Sequence, residues 1–292
     1  MIAPADLRSG KTHRDENFPV ASWLLPAKHR PVILAFYEFV RVADDIADHK
    51  ELPASDKAAL LNGLEAQLLG QAGTSIEADA LRLELAARGL SPRHALDLLK
   101  AFRQDVEKSR YADWSELMDY CALSAMPVGR FVLDVHGEDR SNWPSSDAIC
   151  AALQIINHLQ DCGEDYRGLD RVYIPLDLLA AAGASVEFLG ARQSAPSLRA
   201  CIRGCALRVD DLLRHGEGLA TMVSNRRLAL EISVIHALAR RMTRLLAARD
   251  PLCDETHLSK FASARIGLSA IILAIARRFG PRRKPVAQES RP

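Results

Sequence analysis

An all-α fold built as one domain is what this chain predicts, on three observations. Apolar residues fill 48% of the 292 positions while aromatics fill only 5%, with Ala, Leu and Arg abundant, a profile that favours helices over sheets. Apolar residues recur at helical spacing nearly throughout. The best strand-like stretch, Arg171-Val172-Tyr173-Ile174-Pro175, carries a proline that makes it a short extended loop. No linker, repeat or low-complexity block divides the chain. We therefore expect a flexible N-terminus over 1–15, one helical domain over 16–280 and a basic flexible tail over 281–292.

The elements follow in order. Pro31 suits the first turn of a helix that continues to about Asp48. Helices are expected next at about 55–70, 76–88 and 92–108. Gly89-Leu90-Ser91-Pro92 separates the last two: glycine ends one helix, serine caps the next and proline takes its first turn. A helix at about 114–136 precedes a loop at Asn142-Trp143-Pro144-Ser145, which leads into a helix at about 145–165. Helices at about 196–220, 224–248 and 257–279 complete the set, with Asp250-Pro251 breaking the last pair.

Composition narrows the function. A net charge of +1 gives no reason to expect nucleic acid as a partner. The six cysteines form no CxxC pair, and Cys201 and Cys205, four apart, lack nearby His or Cys for zinc. They read as small buried residues of a reducing compartment. Met1 to Asp15 is polar and holds no signal region, so a cytoplasmic location is expected. The apolar run Ile266 to Ala276 is too short to span a bilayer, but Arg277, Arg278, Arg282, Arg283 and Lys284 follow it. A core helix with a basic tail is one reading; peripheral contact with the inner face of an anionic membrane is the other. Neither a glycine-rich phosphate loop nor a dinucleotide fingerprint is visible, and there is no G-x-S-x-G element.

Two acidic sets carry the chemistry. The first is Asp44, Asp45 and Asp48; the second, far along the chain, is Asp161, Glu164 and Asp165. Both stand in apolar, helix-forming surroundings. At 100° per residue Tyr37, Arg41, Asp44 and Asp48 fall within roughly 60° of arc, as do Gln154, His158, Asp161 and Asp165 on the second helix, with Asn157 at its edge. Like charges one turn apart repel by a few tenths of a kcal/mol on an isolated helix, so two such pairs point to compensating cations. Oxygen-only ligands suit hard metals, and Mg²⁺ takes one or two carboxylates plus water and phosphate oxygens. A single acidic pair would be an ordinary solvated helix face; two, each with polar neighbours on an apolar segment, point to diphosphate held through metal.

These residues, in this order and spacing, resemble the squalene and phytoene synthases, which join prenyl diphosphates head to head. The resemblance covers roughly residues 14–250. It rests on Asn17-Phe18-Pro19-Val20-Ala21-Ser22, Leu24-Leu25-Pro26, Tyr37-x-Phe39-x-Arg41-x-x-Asp44-Asp45-x-x-Asp48, Tyr120-Cys121 and Pro127-Val128-Gly129. It continues with Gln154-x-x-Asn157-x-x-x-Asp161-x-x-Glu164-Asp165 and Arg171 to Pro175. The resemblance implies a helical isoprenoid-synthase fold around an apolar cavity. It implies that Asp44, Asp48, Asp161 and Asp165 bind Mg²⁺, with Mn²⁺ as a substitute and Asp45 and Glu164 in support. Arg41 and Asn157 would touch diphosphate or metal, with Gln154 on the substrate side. Arg171 and Tyr173 would close over the diphosphate, while Phe18, Tyr37 and Phe39 would shape the cavity. Plainer roles stand beside these: Arg41 pairing with acids on its own helix, Phe18 and Phe39 packing, Tyr173 as a core tyrosine, His158 as a hydrogen-bonded neighbour and Lys260 as a surface lysine.

Within the family the chain looks most like the hydroxysqualene synthase branch of hopanoid biosynthesis. Asn17-Phe18-Pro19-Val20 replaces a serine-rich opening, and Ser124 to Arg130 stands where a Val-Ala-Gly-type sequence is usual. Gln160 precedes Asp161 in place of an arginine that holds diphosphate, which implies a changed leaving-group site, and Ala122 replaces a common tyrosine. That branch implies conversion of presqualene diphosphate and water to hydroxysqualene with no NADPH, alongside pathway neighbours of squalene and hopanoid synthesis. Condensation of farnesyl diphosphate to presqualene diphosphate or squalene, or of geranylgeranyl diphosphate to phytoene, stays open. So does a non-catalytic assembly factor with the same fold.

Overall fold

The computed structural model describes residues 24–279, with side chains to Ala276. The expected boundaries at 15 and 280, and Phe18, lie outside the described residues. Thirteen α-helices occur among the described residues, with no strand; a single isolated bridge joins Arg110 to Val172. The all-α expectation holds.

The helices gather around two apolar clusters. α1 (Arg30–Asp48) packs on α2 (Ala54–Leu68), α3 (Ile76–Ala86) and α4 (Arg93–Glu107). Val32, Phe36, Phe39 and Ile46 of α1 meet Leu61, Leu81 and Leu98 in the first cluster. The spacing of those α1 residues is the amphipathic pattern of a helix with one buried face. The second cluster is centred on α7 (Trp143–Gln160), which packs on α5 (Trp114–Ser124), α6 (Met126–His136), α10 (Pro196–Gly216) and α12 (Arg226–Ala248). Ile155, Ile156 and Leu159 of α7 meet Leu198, Ile202 and Val209 of α10 there. Leu153 touches both clusters. Ile149 and Trp143 of α7 also join the first cluster, so α7 bridges the two, and the second acidic set begins just past its end. Gly216 lets α10 lie close on α7: a Cβ there would come within 2.3 Å of Ile149 and 3.1 Å of the Ser145 carbonyl.

Several boundaries differ from expectation for local reasons. Gly89 does end a helix, in the left-handed region at φ +62°, and Ser91 Oγ accepts from the Arg93 N–H at 3.2 Å. The expected helix over 114–136 breaks at Ala125, because Pro127 in the first turn of α6 has no N–H to continue the preceding helix. Asn142 to Ser145 is not a loop: a 3₁₀ turn over Arg140–Asn142 runs directly into α7, with Pro144 in its first turn. The helix expected over 145–165 divides at Asp161 into α7 and α8 (Cys162–Leu169). The stretch 196–220 becomes α10 and a short α11 (Leu219–Met222), and α9 (Leu176–Ala181) was not expected. The last helix, α13 (Lys260–Phe279), starts later than 257. Arg171 to Pro175 is extended as expected, pinned beside 109–111 by the Val172 N–H to Ser109 O bond and the Leu176 N–H to Tyr111 O bond, each 2.9 Å. No described helix is long and apolar enough to cross a membrane. All six cysteines are free thiols; Cys253 is exposed and Cys150 half-buried, so the all-buried expectation fails for these two.

Candidate active site

The first acidic set occupies the last two turns of α1. Arg41 reaches Asp44 at 2.9 Å and Asp45 at 3.0 Å, so the plainer pairing within its own helix is realised. Asp45 is buried against the first core, in a supporting place. Phe39 is wholly buried in that core, which corrects its expected place on the cavity wall: it lies on the inner face of α1, away from the half-buried Tyr37. Burial of the Asp44 carboxyl, then the charge of Asp48, raises its pKa to about 7; Arg41 opposes this, and Asp45 and Asp105 add to it.

The second set straddles the bend between α7 and α8. Asp161 sits at the bend with φ −98° and ψ 6°, so the expected single stripe through Asp161 and Asp165 is interrupted there. The backbone nevertheless stays nearly helical: Asp161 N–H donates to Asn157 O at 2.9 Å and Asp165 N–H to Asp161 O at 2.8 Å. Asp165 therefore still follows Asp161 by about one turn. Burial, then Asp161, then Asp48 raise the Asp165 pKa to about 7, with Arg171 opposing. Arg171 brings the two segments together: its guanidinium binds the Asp48 carboxylate and its backbone N–H donates to Asp165 O at 3.2 Å. One cavity of about 630 Å³ is lined by Arg41 from the first motif and by Asn157, Asp161 and Glu164 from the second. His257, from the segment before α13, stands 3.6 Å from Asp161. Gln154 bonds His158 at 3.0 Å between Nε2 atoms. Gln160 borders the same cavity, but its amide donates to Thr256 O at 2.8 Å, tying α7 to the segment that closes the cavity.

Arg171 joins the two sides. It is 8% exposed, donates to the Asp48 carboxylate, and reaches Ala47 O at 3.3 Å and Asp105 O at 3.2 Å. Burial opposes its charge, yet Asp48, Tyr173 and Asp105 outweigh that and hold its pKa above the ordinary arginine value. Tyr173 is buried and donates to Asp105 Oδ1 at 3.3 Å, while Tyr120 donates to Asp105 Oδ2 at 2.8 Å. His158 stacks on Tyr173 with centroids 3.5 Å apart; burial, then Arg171, lowers its pKa to about 3, so the imidazole is neutral. Asp105 itself is raised to about 6, by burial first and by Asp48 among its neighbours, against the pull of Arg171.

Asp105 was not anticipated from sequence, nor were His257, the Tyr120 bond to Asp105 and the stacking of His158 on Tyr173. A signal for Asp105 existed: it falls four residues after the buried Ala101 and three after Phe102, an acid beside the inward stripe of α4. Lys260 is exposed at the start of α13, as its plainer role requires.

Among the described residues no three His, Cys, Asp or Glu side chains are gathered closely enough to hold an ion. The acids are instead drawn to Arg41 and Arg171. Their chemistry still suits a hard cation, because the donors are oxygens and burial, then neighbouring acids, raises both Asp44 and Asp165. A carboxyl whose pKa is higher folded than unfolded binds its proton preferentially in the folded state, so stability falls as pH rises between the two values. The buried histidines titrate in the opposite sense, which makes a variant comparison the clean readout. Without divalent metal, Asp165→Asn is expected to melt above the parent, by a margin that grows from about pH 4 to about pH 7. A margin that stays constant or shrinks over that window contradicts the assignment.

The squalene/phytoene synthase family model matches residues 11–262. Hydroxysqualene synthase of Rhodopseudomonas palustris is 56% identical over 96% of each chain, and that of Sinorhizobium fredii 52% identical over the same shares. The crystal structure of squalene synthase HpnC from Alicyclobacillus acidocaldarius superposes with a TM-score of 0.70 at 32% identity, covering 84% of this chain and 90% of that one. The match spans both acidic motifs and the loop that carries Arg171 and Tyr173: the chain belongs to the squalene/phytoene synthase family.

Proposed function

We propose that the protein converts presqualene diphosphate and water to hydroxysqualene and diphosphate, in hopanoid and squalene biosynthesis. The observation that carries this reading is Arg171, which binds Asp48 of the first acidic set by its side chain and Asp165 O of the second by its backbone N–H at 3.2 Å. The identity with hydroxysqualene synthases selects the reaction within the family.

Asp44, Asp48, Asp161 and Asp165 would hold Mg²⁺, or Mn²⁺ in its place, with Asn157 beside them and Asp45 and Glu164 in support. When bound, the metal supplies Lewis-acid stabilisation of the leaving diphosphate. Arg41 and Arg171 add fixed positive charge where negative charge develops as the C–O bond breaks. Release from their present acidic partners and transfer to diphosphate oxygens needs only side-chain motion. Tyr173 is held by Asp105 and stacked between His158 and Tyr111, and as a catalytic residue it would lend the aromatic electron density of that cluster to a nearby cation. Gln154 and Tyr37 stand on the half-buried faces of α7 and α1, where the hydrocarbon would enter between the clusters. Apolar walls around the hydrocarbon would delay capture of the rearranging cation. Water oxygen then bonds to carbon, and its proton passes to the departing diphosphate, which balances the reaction without NADPH.

The test is a substrate panel. Purified protein receives presqualene diphosphate, farnesyl diphosphate or geranylgeranyl diphosphate, each with and without NADPH. The expected result is an alcohol from presqualene diphosphate alone, with no effect of NADPH. Consumption of farnesyl diphosphate alone would transfer the protein to the condensing enzymes of the family, and geranylgeranyl diphosphate turnover to phytoene synthesis.

A further inference from the structure

In α13 the usual polarity of a surface helix is inverted. The face toward α12 is built of small residues: Ser263, Gly267, Ala270 and Ala274, with Gly267 so placed that a Cβ would lie 3.4 Å from Val234. Ile266 and Ile271 are half-buried at the edges of that face, and the other large apolar residues point outward. Phe261 is 73% exposed, Leu268 62%, Ile272 59% and Ile275 44%. At 100° per residue these four fall within roughly 60° of arc, a continuous stripe along the helix. Scattered exposed leucines need no explanation, but an aligned stripe of this length marks a surface that something covers.

Charge identifies what covers it. From 260 to 288 the chain carries Lys260, Arg265, Arg277, Arg278, Arg282, Arg283 and Lys284, and no Asp or Glu. A groove of about 780 Å³ runs beside α13, bordered by Leu273 and Ile275 and by the exposed Arg226 and Arg244 of α12; Glu217 is the acid at its edge. An apolar stripe in a segment this rich in cations is complementary to anionic headgroups above acyl chains. A second copy of this chain would bring like charges together around the same stripe. We propose that α13 is an in-plane docking helix that seats the protein on an anionic lipid bilayer, with Phe261, Leu268, Ile272 and Ile275 dipping into the acyl boundary. The surface is independent of the reaction assigned above and is tested without substrate.

The test is vesicle flotation with the full chain. Vesicles of phosphatidylcholine are compared with vesicles of phosphatidylcholine and phosphatidylglycerol. The protein is expected to float with the second and not the first, and to be released by high salt. Leu268→Ser combined with Ile272→Ser removes two anchors and is expected to abolish flotation. Arg282→Gln, Arg283→Gln and Lys284→Gln together are expected to weaken partitioning by about fivefold per charge, roughly a hundredfold in all. Both variants should keep the parent melting temperature and the parent turnover in detergent, which separates lost docking from lost folding. Failure of the parent to float with anionic vesicles overturns the proposal, as does undiminished flotation of the serine variant. So does a dimer in size-exclusion chromatography that the serine variant dissociates.

Discussion

Asp161→Asn is expected to lower turnover of presqualene diphosphate by roughly 100- to 1,000-fold while leaving the melting temperature within about 2 °C of the parent. The two halves of this expectation have separate causes. Asp161 stands at the bend between α7 and α8 with its side chain 41% exposed, and it makes no side-chain bond that caps α8. Amide for carboxylate at such a place changes little in packing. The same atom faces the cavity that Arg41 and Asn157 share, so the lost charge falls where cations and diphosphate would meet. Near-normal turnover at saturating Mg²⁺ would show that Asp161 holds no metal.

Arg171→Ala is expected to damage both stability and turnover. The guanidinium is buried, and its removal leaves Asp48 and Asp105 without their shared cation and the Asp105 carbonyl without its side-chain donor. Ala47 O keeps a second donor in Lys57 at 2.9 Å, which limits the loss. Breaking such a partly buried pair costs about 2–3 kcal/mol, a fall of roughly 5–10 °C in melting temperature for a domain of this size. Turnover should fall by at least about a hundredfold. Arg171→Lys should recover part of the stability, because an ammonium can reach Asp48, but little of the turnover, because it lacks the planar fork that serves two partners at once. Equal recovery of both by lysine would reduce Arg171 to a source of charge.

Much of this site was legible in the sequence because helical spacing is a geometric rule. The i, i+4 steps from Arg41 and Asp44 to Asp45 and Asp48 put those residues together whatever the tertiary packing. The resemblance placed Arg171 and Tyr173 beside them from a loop that no periodicity describes. Three kinds of information were out of reach. Just past the bend at Asp161, Leu252 packs so close on Gly163 that a Cβ there would meet it at 2.6 Å, a contact between distant parts of the chain. Asp105 gained its importance from Tyr120, Tyr173 and Arg171, which arrive on three other segments. The bond by which Gln160 ties α7 to Thr256 was also out of reach, because its position before Asp161 says nothing of which way its amide turns. The outward face of α13 was hidden for a related reason: the run Ile266 to Ala276 reads as core until Leu268, Ile272 and Ile275 are seen to stand exposed.

Calorimetric titration of inorganic diphosphate into the protein, with Mg²⁺ and with a chelator, examines the joint grip of the two acidic sets without the chemistry of turnover. Binding is expected only with Mg²⁺, and Asp48→Asn on α1 and Asp165→Asn on α8 should each weaken it by at least about tenfold. Equal binding in the chelator, or an unchanged Kd in a variant from either helix, would contradict the account.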